Sequence, residues 1–257
     1  MNIVIIGTGN VAHVLGRKII QCGHNVIQVA GRNAANTNTL GALLHAEAVS
    51  AFSDIVTDAD LYIIAVSDAA LADVESWLPV KGNGIMVHTA GSVSKGVLKK
   101  TARRYGVLYP LQSLRSSSVV IPEIPFLIDA DSPDTLQSIQ QFASSLSGRV
   151  QYADDETRLK LHAAAVIVNN FTNYLYTLTQ DLCTKEALDF SLLLPLLQET
   201  VSRIGRYPAR LMQTGPALRN DQVTMDKHLF VLEPYPELLK IYQTLSDSIK
   251  SYYRSDI

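Results

Sequence analysis

The chain of 257 residues is long enough for one large or two modest domains and carries a formal net charge of -2 with 18% charged residues. With a pI near 6.3 and no basic block it does not have the footprint of a nucleic-acid or anionic-membrane binder, which leaves small-molecule chemistry as the expectation. Its two cysteines, Cys22 and Cys183, lie in helical patterns without CxxC or Cys/His spacing, arguing against a disulfide framework or a zinc site.

The N-terminus enters a strand pattern at once, with no basic leader, and the longest apolar stretch, residues 163–168, is too short to span a bilayer. A cytoplasmic protein is expected. Residues 3–6 form a β-branched run fit for a strand buried on both faces, and the run ends in Gly7-Thr8-Gly9-Asn10-Val11-Ala12. This is a GxGxxA turn. Gly7 permits the sharp turn, Gly9 removes the side chain that would hold a pyrophosphate off the helix N–H groups, and Ala12 is small enough for close helix-on-strand packing. Val11, Leu15, Ile19 and Ile20 make the following helix amphipathic, and residues 25–30 give a second strand. The context turns a weak glycine pattern into a dinucleotide fingerprint whose binding residues would be Gly7, Thr8, Gly9, Asn10 and Val11.

The second strand ends at Gly31-Arg32-Asn33, and no Asp or Glu occurs between Asn25 and Leu44. An NAD site places a carboxylate there for the ribose hydroxyls, whereas the Arg32 guanidinium suits a 2′-phosphate, so NADP(H) is the expected cofactor. A helix is expected over residues 39–46. Further strands at residues 60–66, 85–87 and 106–109 run into Ser67-Asp68, His88-Thr89-Ala90-Gly91-Ser92 and Tyr109-Pro110-Leu111-Gln112. Ser67 and Asp68 read as caps of the next helix, Asp68 most simply as the N-cap, and Ser67 is also expected to touch the dinucleotide. Because ligands bind beyond the carboxyl ends of strands in open α/β sheets, Ser67, His88, Ser92, Tyr109 and Gln112 should converge on one region. Individually each has a structural alternative, with Ser92 as a cap, His88 as a satisfied buried histidine and Tyr109 as a loop anchor.

A short strand at residues 126–129 precedes Ser132-Pro133, a cap followed by proline at the first helical position. Strand character returns at residues 150–152 and then ceases. The pattern predicts a dinucleotide-binding domain over residues 1–153 and a helical substrate and dimerisation domain over 154–257. The fold class is therefore α/β, a Rossmann-type doubly wound and mainly parallel sheet followed by an all-helical C-terminal domain. The second domain opens with Asp154-Asp155-Glu156, suited to a helix N-terminus, and its first helix should run past Leu178. At about 100° per residue His162, Val166, Asn169, Asn173, Tyr176 and Gln180 form one uncharged polar stripe with Asn170 beside it. Such a stripe faces a cleft or a subunit interface. Residues 188–204 carry more apolar surface than one contact needs and should be buried in the domain core or in a dimer.

Together, Gly7 to Ala12, His88 to Ser92, Tyr109 to Ser113, the His162 to Asn170 helix, and Thr214-Gly215-Pro216 with Arg219, Asp221 and His228-Leu229 resemble the NADP oxidoreductases that join a Rossmann domain to an uncharacterised helical domain. The resemblance covers nearly the whole chain. More distantly the layout is similar to pyrroline-carboxylate reductases, 3-hydroxyacid dehydrogenases and 6-phosphogluconate dehydrogenase, which implies a homodimer whose helical domains pack together and complete the site over the nicotinamide. One departure matters. Where Asn170 matches the helix asparagine of the hydroxyacid dehydrogenases, their lysine one turn earlier is replaced here by Val166, so a lysine-dependent mechanism does not carry over.

The expected activity is hydride transfer between NADPH and a small carbonyl or imine. His162 is the expected acid/base partner, because imidazole exchanges protons near neutrality. Asn170 would orient the substrate, His88 and Ser92 would lie at the nicotinamide end, and Arg219 is a candidate for a substrate carboxylate. The alternative is a catalytically silent NADPH-binding sensor or interaction module. The missing lysine supports it, and the clustered polar groups oppose it.

Overall fold

A computed structural model describes residues 1–78 and 82–254. The chain divides into two compact units, Met1–Val166 and Ile167–Ile257. The division falls inside the helical region that follows the last strand, thirteen residues beyond the position that the change in composition suggests, because the first helix after that strand belongs with the sheet.

The first unit is built in the order β1 (Asn2–Ile6), α1 (Asn10–Gln21), β2 (Asn25–Ala30), α2 (Ala34–Leu44), β3 (Glu47–Val49), β4 (Leu61–Ile64), α3 (Asp68–Ala72), α4 (Val74–Trp77), β5 (Ile85–His88), β6 (Tyr105–Pro110), β7 (Phe126–Ala130), α5 (Pro133–Leu146), β8 (Val150–Tyr152) and α6 (Asp155–Ala165). The strands form one sheet in the order β3-β2-β1-β4-β5-β6-β7-β8. All neighbours are parallel except β6 and β7. The strand order reverses between β1 and β4, the switch point where this class of sheet opens a crevice. The expected Rossmann-type sheet is the one found.

The apolar runs explain the layers. Side chains alternate across a strand, so Ile3 and Ile5 of β1 enter one core with Leu15 and Ile19 of α1, and Val4 and Ile6 enter the other with Leu71 and Val74. All four of these β1 side chains, Ile3 to Ile6, are fully buried. Each such burial removes roughly 1.5–3 kcal/mol of unfavourable hydration. A run apolar on every residue is what a central parallel strand requires.

Several local details differ from the sequence pattern. Helix α2 starts at Ala34, earlier than expected, because the Asn33 side chain accepts the Asn36 N–H and nucleates it there. Strand β3 is too short and too mixed to announce itself, and it is held by pairing with β2. Ser67, and not Asp68, is the N-cap of α3, accepting the Ala70 N–H. That leaves the Asp68 carboxylate free for other work. Ser132 caps α5 with Pro133 in its first turn, as the sequence suggests.

Residues Val166–Phe171 form a π-helical segment between α6 and α7 (Thr172–Lys185). The wider π turn departs from the spacing of about 100° per residue on which the expected stripe rests. In the second unit α8 (Leu194–Ile204), α9 (Gln222–Leu232) and α10 (Pro236–Arg254) follow, and among its described residues no strand occurs. Its buried residues include Cys183, Met225 and Leu232, and His228 Nδ1 lies 2.8 Å from the Tyr242 hydroxyl where α9 meets α10. Helix α8 buries none of its residues, and Leu194, Leu196, Val201 and Ile204 are exposed. The apolar surface expected in a core or a dimer is thus not covered within the chain. Among the described residues no helix is long and apolar enough to cross a membrane.

Candidate active site

A cleft of about 840 Å³ opens along the carboxyl ends of β1, β2, β4, β5 and β6 in the first unit. Gly7, Thr8, Gly9, Asn10, Val11, Arg32 and Ser67, all seven of the residues expected to hold the dinucleotide, line it. The glycines show why. Gly7 adopts φ +118°, and a Cβ there would lie 2.1 Å from the Ala65 carbonyl oxygen, so the turn can pass β4 only without a side chain. Gly9 meets nothing within 4 Å: the space in front of the α1 N-terminus is open.

No side chain caps α1, so its first N–H groups face that space. An uncapped N-terminus of a twelve-residue helix, with open volume before it, fits a pyrophosphate. Arg32 is exposed on the cleft edge beside the capped start of α2, a placement that fits a 2′-phosphate. Next to it Arg32, Phe52, Val66, Ala70 and Trp77 line a smaller recess of about 260 Å³. The indole is fixed there by its N–H donating to the Ala70 carbonyl oxygen at 2.9 Å.

At the other end of the cleft stand Thr89, Ala90 and Gly91 from the β5 turn, Tyr109 from β6 and His162 from α6. The Tyr109 hydroxyl and His162 Nδ1 are 2.8 Å apart, with the rings edge to face at 76°. Gly91 makes this approach possible, since a Cβ would come within 2.7 Å of the imidazole and 2.9 Å of the phenol. Burial, and then the nearby Asp68 charge, raise the Tyr109 pKa and keep the phenol protonated. The Ser92 hydroxyl donates to Asp68, which lines the same cleft.

His88 is placed differently from the expectation. It is fully buried at the end of β5, does not line the cleft, and its Nδ1 accepts the Ala90 N–H at 3.2 Å. Burial first, then the Arg158 guanidinium, push its pKa down to about 4, so it is a neutral interior group. Gln112 is turned away into its own loop, donating to the Glu123 carbonyl oxygen. Asn170 and Arg219 are exposed residues of the second unit.

Two residues escape a sequence reading. Asp68 looks like a cap in the sequence, and Arg158 looks like one more charge on a polar helix. Arg158 is in fact 1% exposed, and its Nη2 donates to the Val93 carbonyl oxygen at 2.5 Å and to Asp155 at 2.7 Å. Burial works against the Asp155 charge, but hydrogen bonds from Ser94, Arg158 and the Lys95 N–H hold its carboxyl below the usual range. The available signal is the i, i+4 spacing of Arg158 and His162, which puts both on one face of α6.

Residues 2–91 match the family model described as NADP oxidoreductase coenzyme F420-dependent, and residues 124–249 match a domain of unknown function, DUF2520. No functionally curated protein matches the chain. Among solved structures, a Bacteroides fragilis protein assigned as an NADP oxidoreductase is 36% identical, with 97% of this chain and 98% of that one covered at a TM-score of 0.91. The 1-pyrroline-5-carboxylate reductase of Streptococcus pyogenes is similar in fold, at 14% identity, 98% coverage of both chains and a TM-score of 0.64. So is the reductive aminase of Aspergillus terreus in complex with NADPH4, cyclohexanone and allyl amine, at 16% identity, 99% and 94% coverage and a TM-score of 0.72. With a dinucleotide turn opening its cleft and a 36% identical relative over almost its entire length, the chain belongs to the NADP oxidoreductases that join a Rossmann domain to a DUF2520 domain, and it is an oxidoreductase.

Proposed function

We propose that this oxidoreductase binds NADP(H) in the 840 Å³ cleft and reduces a small carbonyl or imine at the end where Tyr109 and His162 meet. The observation that carries this reading is the composition of one cleft: an uncapped helix N-terminus and Arg32 at one end, paired proton-exchanging groups at the other. Bound NADPH would supply the hydride. The protein's task is to orient the acceptor and supply a proton. In this reading the α1 N–H groups hold the pyrophosphate, Arg32 the 2′-phosphate, and Ser67 the neighbouring backbone. His162 is the acid/base partner.

Ser92 holds Asp68 in place at the reacting end, whereas His88 acts from the interior by fixing the turn before Gly91. The complex of the Aspergillus reductive aminase with NADPH and ethyl-5-oxohexanoate supports the cofactor and the substrate class for a similar fold. The exposed apolar face of α8 supports a homodimer formed through the helical unit, because a patch carrying Leu194, Leu196, Val201 and Ile204 is costly to leave in water. A cytoplasmic location agrees with this chemistry.

The test is NADPH oxidation by the full chain against aldehydes, ketones, ketone–amine mixtures and cyclic imines. Turnover on a carbonyl or imine is the expected result. Tight NADPH binding with no turnover across the set would favour the sensor reading that the valine at position 166 suggests.

A further inference from the structure

Resting on that reading of the cleft, we infer that Tyr109 is the group that delivers the proton to the substrate heteroatom, and that His162 stands behind it and reloads it. Three observations place the pair in this order. First, His162 Nδ1 is already engaged by the Tyr109 hydroxyl at 2.8 Å, so the imidazole reaches a substrate on that side only through the phenol. Second, Tyr109 stands at the carboxyl end of β6 on the cleft wall beside Thr89, Ala90 and Gly91, while His162 on α6, which lines the same cleft, is the less buried of the two and so open to the solvent that reloads it. Third, Gly91 is required for the two rings to close on each other, a contact that any larger residue would push apart.

The groups facing the phenol keep it a donor. Burial and then Asp68 of α3 oppose its ionisation, and Arg158 of α6 acts in the other direction. The hydrogen bond between oxygen and nitrogen can run either way. With the hydroxyl donating to Nδ1 the pair is at rest. With Nδ1 protonated the direction reverses, and the phenol O–H is free to point at the substrate.

The step balances as follows. The carbon of the C=O or C=N bond accepts a hydride, and the π electrons move to the heteroatom. The heteroatom takes the proton from Tyr109 as the O–H bond breaks. His162 returns a proton from Nδ1 to the phenolate oxygen, and solvent reprotonates the imidazole. Tyr109 thus ends unchanged, and His162 acts through it.

Tyr109→Phe and His162→Gln in the full chain separate this order from its alternatives. NADPH affinity is read by fluorescence, and NADPH oxidation is followed with cyclohexanone, alone and with methylamine, as probes. Tyr109→Phe is expected to lower turnover about 100-fold or more at nearly unchanged NADPH affinity, and His162→Gln to lower it less and flatten its pH profile. A Tyr109→Phe enzyme with near wild-type turnover, or a His162→Gln enzyme that is the more damaged of the two, would overturn the order.

A second measurement does not depend on turnover. In protein carrying ¹⁵N-histidine, the His162 Nδ1 resonance should report its hydrogen bond to the Tyr109 hydroxyl, and Tyr109→Phe should displace it. An Nδ1 resonance that Tyr109→Phe leaves unmoved overturns the relay. Failure to bind NADPH would refute the underlying cofactor reading separately, with the resonance result still deciding the relay.

Discussion

Arg158 Nη2 donates to the Val93 carbonyl oxygen at 2.5 Å, tying α6 to the loop after β5 across 65 positions of sequence. The same nitrogen reaches Asp155 Oδ1 at 2.7 Å, and the second oxygen of that carboxylate accepts the Ser94 hydroxyl. His162 follows Arg158 by one helical turn, so this buried cation fixes where the imidazole meets Tyr109. Arg158→Met should lower stability by about 1–3 kcal/mol, less than for a fully buried pair because Asp155 is partly exposed, and should loosen the Tyr109–His162 contact. Urea unfolding measures the first effect. An unchanged midpoint would assign the link to packing alone.

His88 makes the first unit sensitive to acid. Its pKa falls from 6.5 to about 4 on folding, so the unfolded chain binds the proton more readily. The associated stability is complete above the unfolded value of 6.5 and is lost as pH falls through about 4. It amounts to about 3 kcal/mol across that window. His88→Gln should flatten this part of the stability profile while leaving a folded protein at neutral pH. Urea midpoints at a series of pH values decide the matter, and an equally steep acid loss in the variant would move the cause to the carboxylates.

Gly7 and Gly9 should fail in different ways. Gly7→Ala forces a side chain into a positive-φ site and against the Ala65 carbonyl, and should cost at least about 2 kcal/mol of stability. Gly9→Val places its side chain in open space, so stability should change by no more than about 1 kcal/mol while NADPH affinity falls tenfold or more. Thermal unfolding and NADPH titration of both variants separate the two roles. Loss of stability in Gly9→Val with affinity intact would contradict the pyrophosphate assignment.

These two glycines also show what can be read from a sequence. The turn from Gly7 to Ala12, the apolar run of β1 and the cap of α5 are local patterns with local physical causes, and each lies where its residues suggest. Seven cleft residues follow from those patterns, because strand ends in a parallel sheet necessarily share one edge. Asp68 and Arg158 depend on contacts between segments 24 and 65 positions apart, which no periodicity encodes, and His88 is likewise shaped by the distant Arg158. The π segment at Val166–Phe171 is equally silent.

The uncovered face of α8 gives a prediction about assembly. Leu196 and Val201 are 63% and 67% exposed. If the helical unit forms the homodimer, Leu196→Glu with Val201→Glu should shift the protein from dimer to monomer in analytical ultracentrifugation without loss of helical content. A double variant with unchanged mass would place any dimer interface elsewhere.

In the proposed cleft, selection of the phosphorylated dinucleotide falls most directly to Arg32. Fluorescence titration of the full chain with NADPH and NADH, repeated for Arg32→Asp, measures it. Tighter binding of NADPH is expected in the wild type, and loss of a charge-assisted phosphate contact should weaken NADPH by roughly 10- to 100-fold and reverse the preference. Equal affinity for the two cofactors, or an Arg32→Asp variant with the wild-type preference, would contradict the account.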